Sequence, residues 1–433
     1  MSGKPSFISA KEISYQLRKI LHQTQLTDAN DTTIVCYDLR HLRSRVEEVK
    51  RSFPADSIHA IAMKANPLMK VLVEMAKMGT GIEVASFAEL RMAEAAGFQA
   101  NNIVFDSPAK TITEITYALE HHIRLNADSF AELERIAHAR QHLDSHSVIG
   151  LRINPQTGAG AIESTSVTGK RSKFGVALND HHTELKAAFR GYPWLRAVHV
   201  HIGSQGYPVA GLVKGIKTVF EFVQEMNLEL AQSDPKNLIN TFDIGGGLPV
   251  DYHQSNQYPS VETYAKSLHE AVPQLFSGDF LLLTEFGRHI HAQAGWVASQ
   301  VEYVKRELGH NIAIIHVGAD MFLRKSYNPA DWHHSISVAD RNGKLKTGID
   351  AQPYWVAGPL CFSGDVIARD IKLPLVEAGD YLLIQDAGAY TLSMWSRYNS
   401  RQIPKVIGYD GDTDCYELLK DRETPEDLIR FWS

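Results

Sequence analysis

The sequence is short of cysteine, of unbroken apolar runs and of clustered positive charge. Its three cysteines, Cys36, Cys361 and Cys415, are odd in number, and none lies in a C-x-x-C pair. That excludes a secreted disulfide framework and a zinc ribbon, and it points to a reducing, cytoplasmic setting. No stretch reaches the roughly 18 apolar residues of a membrane span, and Met1 to Lys11 lacks the basic patch and apolar core of a secretory signal. The expectation is a protein with no membrane partner. Against 50 Asp and Glu stand 44 Lys and Arg, a formal charge of −6. Without a basic cluster, a nucleic-acid partner is not expected. Internal repeats and low-complexity tracts are missing as well.

What remains is an ordinary globular composition: 433 residues, 44% hydrophobic and 22% charged, enough for two or three domains or for one large barrel with an appendage. Eight short apolar runs alternate with helical patterns: Ile58–Met63, Gly81–Val84, Asn102–Phe105, Ile123–Asn126, Val148–Ile153, Ala197–Ile202, Asn240–Ile244 and Phe280–Glu285. Continuous rather than alternating apolar character marks buried parallel strands. Ser86 with Glu89, and Ser129 with Glu132, have capping-box spacing ahead of helical segments. Such βα units could also build a doubly wound sheet. Their number and span favour an α/β fold of the (β/α)8 TIM-barrel kind, whose typical length is about 250 residues. After Gly295 the texture changes. Trp296–Val304, Ile312–Val317, Pro353–Ala357 and Tyr381–Gln385 read as strands of a mostly β domain, which Thr32–Tyr37 could join.

Polar residues gather at the carboxyl ends of the apolar runs, where a barrel builds its site. Lys64 ends the first run; partial desolvation there favours a neutral, nucleophilic amine, although a snorkelling lysine fits the same position. Gly245, Gly246 and Gly247 follow the seventh run. They suit either a backbone anion nest or a tight turn, and they match neither a dinucleotide fingerprint nor a P-loop. His201 follows the sixth run, with His199 on the same strand face; a base, a metal ligand, a flat aromatic partner and a structural role all remain open. No third strand-end His or Cys completes a metal site, so no resident metal is expected. The pairs His121-His122, His181-His182 and His333-His334 read as solvated. Glu285 and Arg288 close the eighth run as a carboxylate and a guanidinium for opposite ends of one ligand, or as an ion pair. In the β region, Gly358-Pro359-Leu360-Cys361 and Asp386-Ala387-Gly388-Ala389-Tyr390 offer a thiol and a phenol, either of which could instead be core.

In this order the motifs resemble the fold-type III pyridoxal-phosphate decarboxylases, the group of the diaminopimelate, ornithine and arginine decarboxylases, with most similarity to the diaminopimelate branch. The resemblance runs from about Thr33 to Pro404. It implies an alanine racemase-like barrel over residues 33–295 and a mostly β domain, residues 1–32 plus 296–433, that completes the active site. It implies pyridoxal 5'-phosphate as cofactor, an amino acid as substrate and a homodimer with shared sites. Lys64 would carry the cofactor as a Schiff base, and His201 would stack on its ring. Ser204 and Gly245 to Gly247 would bind its phosphate, with Glu285 on its pyridine nitrogen. Arg288 would lie near phosphate and substrate, and Tyr390 would reach one or the other. Cys361 of the neighbouring subunit would donate a proton, while Arg324, Tyr327 and Phe362 face the substrate. Glu83, Ser86 and Ser172-Lys173-Phe174-Gly175 would be scaffold around the mouth.

Three departures bear on specificity, one being that Phe322-Leu323-Arg324-Lys325-Ser326-Tyr327 resembles the family's substrate-binding Arg and Tyr with a spacing one residue short. The family's Glu-Pro-Gly-Arg is Glu285-Phe286-Gly287-Arg288 here, which spares both charges. Where diaminopimelate decarboxylases carry Glu after the cysteine, and ornithine decarboxylases Asp, this chain has Phe362, which can neither accept a hydrogen bond nor meet a distal ammonium. The distal group is then acylated, part of a conjugate, or read by another residue such as Asp331. An amino-acid racemase on the same fold and a catalytically silent regulatory homologue are the alternatives. The first needs a second base opposite Lys64, and the second tends to lose cofactor contacts that are all present here.

Overall fold

In the computed structural model, which describes residues 8–433 apart from 24, 159, 163–166, 170, 254, 256, 257, 308 and 349, each of the eight apolar runs forms a parallel strand. They are β1 (Ile58–Ala62), β2 (Gly81–Val84), β3 (Ile103–Phe105), β4 (Arg124–Ala127), β5 (Ile149–Asn154), β6 (Leu195–His199), β7 (Thr241–Asp243) and β8 (Leu281–Thr284). Pairing follows the order β4-β3-β2-β1-β8-β7-β6-β5, and β4 pairs with β5 to close the barrel. Most strand residues are buried on both faces, as expected where helices cover the outside and side chains fill the inside. The serine caps form as the spacing predicts, with one variation. Ser86 accepts from the Glu89 N–H and Ser129 from the Glu132 N–H. The two glutamates reach one residue further back, to the N–H groups of Ala85 and Asp128.

A second unit holds a nine-stranded sheet. Its main path runs Val366–Leu373, Gln352–Ala357, His310–Ile315, Gly295–Glu307, Thr33–Asp38, Lys405–Asp410, Cys415–Lys420. Tyr381–Ile384 pairs with Gly295–Glu307 and with Ile336–Ala339. The helix Ala10–Leu21 starts with a full capping box between Ser9 and Glu12 and presses Ile13, Leu17 and Ile20 into a core with Cys36 and Trp296. The boundary therefore differs from 33–295: Thr33–Asp38 is a strand of the β unit, lying between Gly295–Glu307 and Lys405–Asp410. The two units comprise Met1–Ser44, Asp251–Asn256 and Ile290–Ser433 on one side, and Arg45–Val250 and Gln257–His289 on the other.

One close approach fixes the end of β1 against the segment after β8. A Cβ on Gly287 would lie 2.9 Å from the Ala65 Cβ, 3.0 Å from the Ala62 Cβ and 3.2 Å from the Ala62 carbonyl oxygen. Gly287→Ala should destabilise the protein by about 1–3 kcal/mol, the usual range for overpacking. Gly191→Ala, where nothing lies within 4 Å, should stay within about 0.5 kcal/mol of wild type. Urea unfolding of the two variants checks this, and equal stabilities would contradict it.

Candidate active site

Backbone register assembles a row of charge across the barrel. Arg152 on β5 pairs with His199 on β6, which pairs with Asp243 on β7; Asp106 follows β3, Glu83 lies on β2 and Glu285 follows β8. Glu83, Asp106, Asp243 and Glu285 are all buried. Four carboxylates in a dry interior must be neutralised or paired.

Lys64, in the short turn Met63–Ala65 after β1, places its Nζ 2.8 Å from both Glu83 carboxylate oxygens. Burial pushes Glu83 up to about 8, with Lys64 opposing and Glu285 and Asp106 adding to the rise. His199 is fully buried, its Nδ1 3.5 Å from Asp106 and its Nε2 3.6 Å from Glu285. Burial works against its charge, yet Asp106 and Glu285 outweigh it and carry it up to about 9. Burial likewise would raise Glu285, but His199 and Lys64 hold it well below the ordinary carboxylate range. Asp106 is held low by His199 and Arg152 against its burial. Asp243 goes the other way: burial, with Glu285 adding, raises it well above the ordinary value, and it accepts the Gly245 N–H.

The glycine triplet locks this arrangement. Gly245 and Gly247 have φ of +65° and +101°, and a Cβ on Gly246 would sit 2.5 Å from the Glu285 carbonyl oxygen. The Gly246 N–H donates to His201 Nδ1 at 3.2 Å. Burial lowers the pKa of the His201 ring, which is therefore a neutral imidazole, oriented by backbone. Arg288 donates to the Ser204 hydroxyl at 3.3 Å. His199, His201 and Glu285 also offer one donor atom each within 4.8 Å, a spacing a metal could use; the Gly246 N–H already occupies the Nδ1 lone pair of His201.

In the β unit, Arg324 lies over the rings of Tyr390 and Trp332, at 4.5 and 4.8 Å. Phe362 stacks on Tyr327 at 6.0 Å and meets the Tyr398 edge-on at 6.1 Å. The exposed Cys361 is held by its backbone: its N–H donates to Asn399, and its carbonyl accepts from the Tyr398 hydroxyl. Asp365 shapes that loop by accepting the N–H groups of Ala319 and Leu360, each at 2.6 Å. His333 and His334 are not the solvated pair expected. His333 stacks on His253 at 4.2 Å, and the Nδ1 of His334 meets the Gln385 carbonyl.

A family profile described as the pyridoxal binding domain of pyridoxal-dependent decarboxylases matches residues 39–292. The chain belongs to the pyridoxal-dependent decarboxylase family. It is a carboxy-lyase that uses pyridoxal phosphate to decarboxylate an amino acid. It is 31% identical to a diaminopimelate decarboxylase of Helicobacter pylori over 94% of this chain and 96% of that one. With the Zymomonas mobilis diaminopimelate decarboxylase the identity is 32% over 86% and 85% of the two chains. The crystal structure of an H. pylori diaminopimelate decarboxylase complexed with L-lysine superposes with a TM-score of 0.82 at 29% identity, covering 94% of this chain and 98% of that chain.

The barrel suits the cofactor of this family. Both carboxylate oxygens of Glu285 are sealed from solvent and have no hydrogen-bond donor among the described residues. An ionised, buried acceptor lacking a donor fits a protonated ring nitrogen. Asp106, Arg152 and His199 were not singled out from the sequence as part of this decarboxylase site. The His-x-His spacing was the one signal for His199, and Asp106 sits directly after a short strand.

Two of the raised groups, His199 and Glu83, give the pH dependence of stability its sign. His199, at about 9 against 6.5 when free, contributes stability that is complete below about pH 6.5 and is lost as pH rises through 9. Glu83, raised to about 8, acts with the same sign. The Tm of the cofactor-free protein is expected to fall from pH 7 to pH 9, and less steeply in Glu83→Gln. Equal slopes in the two proteins would contradict this.

Proposed function

We propose that this decarboxylase acts on an α-amino acid whose far end carries a carboxylate or an acylated nitrogen in place of a free ammonium. The observation that carries the reading is the cluster around Phe362. Its ring packs with Tyr327 and Tyr398, while Arg324, clasped by Tyr390 and Trp332, offers a rigid fork for a carboxylate. Phe362 offers a distal ammonium no hydrogen-bond acceptor and only a weak cation–π contact, which the charge of Arg324 opposes. The H. pylori structure is complexed with L-lysine, a diamino acid; Phe362 and Arg324 here suit an acylated or conjugated counterpart.

Pyridoxal phosphate, when bound, supplies a carbonyl for an amino group and a ring that takes up the electron pair left by departing carbon dioxide. Lys64 provides the amine that holds it, and Glu83 orients that amine from 2.8 Å. The neutral imidazole of His201 offers a flat face whose tilt the Gly246 N–H sets. Glu285 accepts a proton-bearing ring nitrogen and keeps it protonated. Ser204, Arg288 and the backbone of Gly245 to Gly247 receive the phosphate, and Tyr390 reaches the phosphate or the substrate. Cys361, exposed on its loop, delivers the proton to the α-carbon from the partner subunit of a homodimer. A cytoplasmic setting agrees with three free thiols, and the negative net charge agrees with a small-molecule partner and no nucleic acid.

Carbon dioxide release by the cofactor-loaded protein tests this across meso-diaminopimelate, lysine, ornithine, arginine, glutamate and N-acylated diamino acids, with Lys64→Ala as control. An acylated member, or one whose far end carries a carboxylate and no ammonium, should exceed meso-diaminopimelate by about tenfold or more in kcat/KM. Phe362→Glu should shift that ratio towards meso-diaminopimelate by about tenfold. Faster release from meso-diaminopimelate by the wild type would contradict the reading.

A further inference from the structure

His199 has no part in the roles assigned above, yet it is the side chain around which the buried charges are arranged. It is fully buried at the end of β6, with Arg152 and Asp243 as its register neighbours on either side. Its two ring nitrogens face two carboxylates, Asp106 at 3.5 Å and Glu285 at 3.6 Å. Behind Asp106 stands Arg152, 3.8 Å away, whose guanidinium also lies 3.7 Å from Asp128 and 4.5 Å over the ring of Phe174. The chain Glu285–His199–Asp106–Arg152 thus alternates in sign from the mouth of the barrel into its scaffold. Lys64 is already engaged by Glu83, and the Nδ1 of His201 by a backbone donor. The imidazolium of His199 is the cation that faces Glu285 and has no part in cofactor or substrate contact.

We propose that His199 is a positioning residue that keeps Glu285 ionised and aimed at the cofactor's pyridine nitrogen, with Asp106 and Arg152 fixing its charge and orientation. The inference rests on the role of Glu285 given above. A buried carboxylate without a nearby cation takes up a proton, and a protonated Glu285 competes with the ring nitrogen for the hydrogen it should accept. With His199 present, the second proton sits on the imidazole and the carboxylate stays an acceptor. Asp106 serves because it is itself held ionised by Arg152 and His199.

Equilibrium dialysis of pyridoxal phosphate against wild type, His199→Asn, Glu285→Gln and the double variant tests the proposal. Each single variant should weaken cofactor binding by about tenfold, and the double variant should lose no more than about twofold beyond Glu285→Gln, since the two residues act through one contact. The absorption spectrum of cofactor bound to His199→Asn should move towards that of Glu285→Gln. An additive loss in the double variant would overturn the proposal, because a merely structural histidine adds its effect independently. Binding by His199→Asn within about twofold of wild type, with Glu285→Gln still weakened, would overturn the role of His199 alone. Both single variants within that range would overturn the reading of Glu285 as well. If His199→Asn does not fold by circular dichroism, Asp106→Asn takes its place in the same cycle with the same expectation and the same overturning results.

Discussion

The site depends on keeping one carboxylate, Glu285, ionised in a space from which water is excluded. Burial alone favours its neutral form, as the raised Glu83 and Asp243 nearby demonstrate. Glu285 escapes because His199 and Lys64 oppose the effect of its burial. The remaining carboxylates divide around that outcome: Asp106 is held low beside His199, Asp243 is shifted upward by burial and accepts a backbone N–H, and Glu83 is shifted upward with Lys64 opposing. Four acids of similar intrinsic strength are thereby shifted in opposite directions within one barrel, the kind of divergence by which one fold keeps distinct acid and base functions near neutrality.

The backbone makes these differences durable. The glycine triplet passes so close to Val200, Gly203 and Glu285 that a Cβ at any of its three positions would meet a carbonyl oxygen within 2.6 Å. The same loop donates the N–H that settles the tautomer of His201. Gly287 allows the segment bearing Arg288 to lie against the end of β1, next to Lys64 in sequence. Neighbouring loop positions around the mouth, from β6 to β1, are thus fixed by contacts too tight for any larger residue, and the charged side chains inherit that precision.

Much of this was legible in the sequence. All eight barrel strands follow the apolar runs, because parallel strands buried on both faces need such runs, and the serine caps mark two helix starts. Lys64, His201, the glycines, Glu285 and Arg288 stand out because strand ends in a barrel point to one mouth. The boundary at Thr33 was half legible, since Thr32–Tyr37 read as a run that could join the β domain while the resemblance put it with the barrel. Thr33–Asp38 is as apolar as a barrel strand, and only its pairing with Gly295–Glu307 and Lys405–Asp410 assigns it. His199 was also missed as a central group: a spacing of two residues puts it on the face of His201, but not between Asp106 and Glu285. Charge partners supplied by β3 and β8 are a property of the closed barrel. In the β unit, Trp332 lies eight residues from Arg324, but the contact of Arg324 with Tyr390 joins distant segments, which no local pattern encodes.

The central claim is that Glu285 is ionised and holds a protonated pyridine nitrogen. Nitrogen-15 magnetic resonance of the enzyme loaded with ring-labelled pyridoxal phosphate addresses it directly. The account predicts a pyridinium resonance, with the proton on the ring, that persists across the neutral range in wild type and shifts towards unprotonated pyridine in Glu285→Gln. An unprotonated resonance in the wild-type enzyme at neutral pH would contradict the account.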